Sequence, residues 1–97
     1  MTTSNAAVPG MALVKQLNGV TYLFAESNRR SSSGAAFTFT LTGLAGKTAT
    51  VVYDSNAHYD SANSAAGETF NLNSSSQFSD TFGANNDHYQ VKIYAIQ

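Results

Sequence analysis

The side chains with the most chemistry in this sequence stand between residues 51 and 70, in the stretch VVYDSNAHYDSANSAAGETF. Tyr53, His58 and Tyr59 supply flat rings, and Asp54, Asn56 and Asp60 lie among them. A sugar ring has apolar C–H faces and a polar rim. Aromatic planes remove the faces from water, while amides and carboxylates bond the hydroxyls of the rim. The segment is therefore a candidate carbohydrate site, which Asn86 and His88 join if the loop before the last strand lies at the same end. Tyr53 also fits a plainer reading: it shares the alternating register of Ala49 and Val51, which would make it a lid on the core. Tyr22 and Tyr94 are the next candidates, should the site be a sheet face.

The same oxygens raise the question of metal. Asp54, Asn56 and Asp60 look like the opening of a calcium loop, but no Gly stands at its sixth place and no Glu at its twelfth. No cofactor is expected, and structural calcium rests on that incomplete pattern alone. Catalysis fares worse. Glycoside hydrolysis needs two carboxyls about 5–10 Å apart across a cleft. The acids are Glu26, Asp54, Asp60, Glu68, Asp80 and Asp87, and none sits in an apolar pattern that would carry it into a dry pocket. No Gly-x-Ser-x-Gly turn and no Gly-rich phosphate loop is present, so the chain is expected not to be an enzyme.

Composition limits the partners. At 97 residues the chain makes one domain, with room for one core but not for a deep cleft beside it. Only 11% of residues are charged, less than half the usual share, so the wet surface must be built from Ser, Thr, Asn and Gln. A net charge of -1 offers no basic stripe to nucleic acid and no basic amphipathic helix to a membrane. Cysteine is absent, which removes disulfides, thiolate chemistry and Cys-type zinc sites. The start, MTTSNAAVPGM, lacks the charged and apolar runs of a signal peptide and reads as a linker over residues 1–10. Residues 11–97 are then a module of a longer secreted chain, with Met1 added at its start.

The elements that must position the candidate site are strands. MALVKQL (11–17) and VTYLFAE (20–26) flank Asn18-Gly19, a pair suited to a two-residue hairpin turn. AAFTFTLTGL alternates, with Phe37, Phe39 and Leu41 on one face and threonines on the other. TATVVYD (48–54) is the next strand, and ETFNLN, SQFSDTF and HYQVKIYAI follow the long polar loop. In the last of these, Tyr89, Val91, Ile93 and Ala95 form the apolar row expected to face the core. The pattern predicts an all-β fold, a single-domain antiparallel sandwich of about seven short strands.

The order NGVTYLFAESNR, AFTFTLTGLAGKTATVVYD, FSDTFGANNDHYQVKIYAI resembles the small β-sandwich modules at the carboxyl end of bacterial glycoside hydrolases such as cellulases. The matching positions are Gly19, Tyr22 to Ala25, Phe39 to Leu44, Phe78, Asp80, Phe82 and Tyr94 to Ile96. The resemblance implies an ancillary, polysaccharide-facing role. Where those modules have a short polar connection, this chain carries the longer NAHYDSANSAAG. The expected function is noncatalytic binding of a soluble plant cell-wall polysaccharide of the β-glucan or xyloglucan type. The partners are then that glycan and a covalently linked hydrolase domain, the location is extracellular, and nothing demands more than a monomer. The alternative is a structural domain that packs on its catalytic neighbour and binds no sugar.

Overall fold

In the computed structural model, residues 1–4, 8–27, 34–59, 61–82 and 89–97 are described. The strict alternation of Ala35–Thr40 (β4) turns Phe37 and Phe39 inward and leaves the threonines toward water. β4 lies between β1 (Thr2–Thr3) and β7 (Gln77–Phe82) in a three-stranded sheet. Opposite it stands a five-stranded sheet in the order β2 (Gly10–Leu17), β3 (Val20–Ser27), β8 (Val91–Ile96), β5 (Thr48–Asp54), β6 (Thr69–Asn71). All pairings are antiparallel. The β2–β3 hairpin turns at Asn18 and Gly19, with φ of 51° and 81°, the left-handed conformations that a two-residue turn needs.

The core fills the space between the sheets, so the fold is the all-β sandwich that alternation predicts. Phe37 stacks on Phe82 at 4.9 Å, Phe39 meets Phe78 at 5.2 Å, and Phe78 meets Tyr94 edge-on at 5.1 Å. Each such ring contributes about 2–3 kcal/mol by leaving water. Among the described residues eight strands form, where the pattern predicts about seven. The extra strand comes from the stretch expected to be a linker: Thr2 and Thr3 pair with Thr38 and Phe37, and Val8 is fully buried in the core.

The last strand corrects the sequence reading. Its inward row is Gln90, Lys92, Tyr94 and Ile96, all buried, while Val91 and Ile93 are only half-buried on the outer face. Periodicity favoured the odd row because it is wholly apolar. The even row wins because each of its polar members meets a carboxylate: Gln90 donates to Asp54 Oδ1 at 3.0 Å, and Lys92 Nζ donates to Asp80 Oδ2 at 2.7 Å. Lys92 Nζ also donates to the Thr81 carbonyl at 3.1 Å and lies 4.9 Å over the Phe82 ring.

Tyr94 completes this network by donating its hydroxyl to the same Asp80 oxygen at 2.6 Å. Burial, and then the charge of Asp80, push the phenol far above its ordinary value of 10.0. The folded chain therefore keeps a proton that the unfolded chain releases near pH 10. The stability linked to Tyr94 is complete below that pH and is lost above it, with a slope of about 1.4 kcal/mol per pH unit. Urea unfolding midpoints measured from pH 7 to 11 are expected to fall more steeply above pH 10 in the wild type than in Tyr94→Phe. Parallel curves for the two would refute the assignment.

Candidate functional site

A break in β5 decides where the rings go. Ala49 and Val51 face the core, and Val51 pairs with Tyr94, but the next pair is Tyr53 with Ile93. Val52 is thus an extra residue, a β-bulge, and it shifts the alternation by one place. Val52 and Tyr53 both end outside, 52% and 37% exposed, and Asp54 takes the inward position. The reading that puts Tyr53 on the buried face of Ala49 and Val51 fails here. Instead it completes an outer row across neighbouring strands, Leu13, Phe24, Ile93 and Tyr53, which the registers place side by side.

Asp54 then holds the loop that follows. It is 1% exposed, and its Oδ1 accepts the Asn56 N–H at 2.9 Å together with the Gln90 amide, while Oδ2 accepts the Ala65 N–H at 2.8 Å. The first contact is an Asx-turn, which short polar side chains make readily. The third ties the far end of the loop to its start. Ser55 adds two bonds to the last strand: its N–H donates to the Val91 carbonyl at 2.9 Å, and its hydroxyl accepts the Val91 N–H at 2.9 Å. Gln90 and Ser55 were missed from sequence. The available signal was a glutamine between Tyr89 and Val91, next to the apolar run of the last strand.

A single helical turn, α1 (Asn56–Tyr59), springs from this anchor. Asn56 faces inward, 3% exposed, and its side-chain amide donates to the Asn63 carbonyl at 3.2 Å. His58 and Tyr59 face water, Tyr59 at 59% exposure. The His58 ring lies 6.3 Å from Tyr53 and 6.5 Å from Tyr59, so the three rings make one exposed aromatic ridge. Behind the loop, Asn56, Asn63, Glu68, Asp80, Gln90 and Lys92 line a polar hollow of about 300 Å³. On the outer sheet face a smaller apolar groove, about 210 Å³, runs between Met11, Leu13, Phe24 and Val91.

The candidate residues therefore divide. Tyr53, His58 and Tyr59 come together at the surface, whereas Asp54 and Asn56 lie beneath them and direct their polar atoms into the loop. Asp60, Asn86 and His88 lie outside the described residues. Of the two reserve tyrosines, Tyr22 is half-buried on the outer sheet face, but Tyr94 is fully buried and offers no platform. Among the described residues no three His, Asp or Glu side chains converge as metal ligands would.

No protein-family model matches the chain, no curated protein matches it, and no solved structure matches it.

Proposed function

We propose that this chain is a noncatalytic carbohydrate-binding module that attaches a secreted glycoside hydrolase to soluble β-glucan or xyloglucan-type chains. The observation that carries the reading is the ridge of Tyr53, His58 and Tyr59, beside the Asp54 carboxylate that ties the start of the loop to Ala65 and Gln90. A soluble domain gains nothing in stability from tyrosines in water, and a pinned loop presents them with little entropy to lose on binding. Sugar faces stack on the rings, and the hydroxyl rim takes hydrogen bonds from the imidazole and the phenols. The lack of tryptophan favours single glycan chains over a flat crystalline surface. One or two stacked rings and a few solvent-competed hydrogen bonds give dissociation constants of roughly 1 µM to 1 mM.

Calorimetric titration or affinity electrophoresis with β-glucan, xyloglucan and xylan tests this. Tyr59→Ala and Tyr53→Ala are each expected to weaken binding by about tenfold; the melting temperature should hold for Tyr59→Ala, whose ring is 59% exposed, and fall slightly for Tyr53→Ala, which is 37% exposed and pairs across strands with Ile93. A flat titration of the wild type against the whole panel overturns the reading in favour of a purely structural appendage.

A further inference from the structure

Among the described residues, the sandwich leaves one long edge unpaired. An open strand edge is a template for pairing, and folded proteins blunt their edges with shortness, charge, proline or bulges. Among the described residues three of the four edges follow that rule: β1 has two residues, β6 has three, and β7 turns a charged residue, Asp80, inward. β2 does not. It is eight residues long, pairs with β3 in unbroken register, and carries one charge, Lys15. Among the described residues it pairs with β3 alone, and Met11, Leu13, Val14 and Leu17 stand 48–61% exposed.

We propose that two copies of this chain associate about a two-fold axis by pairing β2 with β2, in place of the monomer expected from sequence. The Asn18–Gly19 turn makes Leu17 and Val20 a hydrogen-bonded pair, so the odd residues of β2 bond to β3. The N–H and C=O groups of Ala12, Val14 and Gln16 then point to the open edge. Joined sheets keep like faces together, which restricts the axis to a residue position. Centring on Leu13 would carry Leu17 past the end of β2, and centring on Lys15 would set two ammonium groups against each other. Centring on Val14 sets Met11 against Leu17 and Ala12 against Gln16, with about six backbone hydrogen bonds. The strand is thus self-complementary, as a two-fold interface must be. One strand junction is small for an interface, so dissociation is expected at roughly 10–100 µM.

Sedimentation of the whole chain from about 5 µM to about 1 mM reads this directly, because the mass should rise from 10.3 kDa toward twice that value. Val14→Lys should hold the mass at that of one chain with unchanged thermal unfolding. The chain has no cysteine, so Val14→Cys should cross-link to its own copy under mild oxidation. Ala12→Cys should not, because the proposed register separates its two copies by about 14 Å along the strands. A single-chain mass throughout the range, association that survives Val14→Lys, or equal cross-linking of both cysteine variants would overturn the proposal. Glycan binding is read separately, so either result stands without the other.

Discussion

Asp54→Ala is expected to lower the unfolding free energy by about 3–5 kcal/mol, more than any substitution among the exposed rings. The carboxylate is buried and accepts from the Asn56 N–H, the Ala65 N–H and the Gln90 amide, so its removal takes the acceptor of three buried contacts. Each lost acceptor costs about 1–3 kcal/mol, less whatever water recovers on entering the space. For a domain of this size the melting temperature should fall by at least about 12 °C. Asp54→Asn should fall between, since it keeps an acceptor but turns an amide toward a donor. The effect reaches the site as well. α1 starts two residues after Asp54, so Asp54→Ala should weaken glycan binding even where the chain remains folded. A loss below 1 kcal/mol would mean that the loop is held by something other than this carboxylate.

The second large effect belongs to Asp80. Lys92 is 3% exposed, and Asp80 is its charge partner at 2.7 Å. Among the described residues, Asp80→Ala leaves a buried ammonium with the Thr81 carbonyl and the Phe82 ring, and it takes the acceptor from the Tyr94 hydroxyl. Removing one partner of a buried pair costs about 3–5 kcal/mol, whereas replacing both by apolar groups of like volume is often neutral. The double variant Asp80→Leu with Lys92→Met should therefore recover most of the stability lost in Asp80→Ala. Denaturant unfolding of the wild type, Asp80→Leu, Lys92→Met and the double variant measures the coupling. If the losses of the two single variants simply add, the pair is not coupled and the argument fails.

How much of this could be read from residues alone varies by element. The hairpin was legible because Asn-Gly is chemically suited to two consecutive positive φ values, a property of the dipeptide itself. β4 was legible because its alternation is unbroken and one face is entirely threonine beyond Ala36. The aromatic segment was legible as a candidate site because tyrosines among Ser, Ala and Asn have no local structural reason to be there. β8 was misjudged because periodicity scores apolar rows, and nothing local shows that Gln90 and Lys92 will meet carboxylates from other strands. Val8, between Ala7 and Pro9 in a stretch without alternation, had no period to reveal its burial.

The sequence by itself determined the strand content, the main hairpin and the stretch that carries the rings, since these follow from side-chain type and period-two spacing. Tertiary structure decided which way the rings face. The bulge at Val52 arises from how β5 meets β8, and one inserted residue sends Tyr53 outward and Asp54 inward. Local alternation cannot register such a slip, because the facing of each residue depends on a partner strand about forty residues away in the chain.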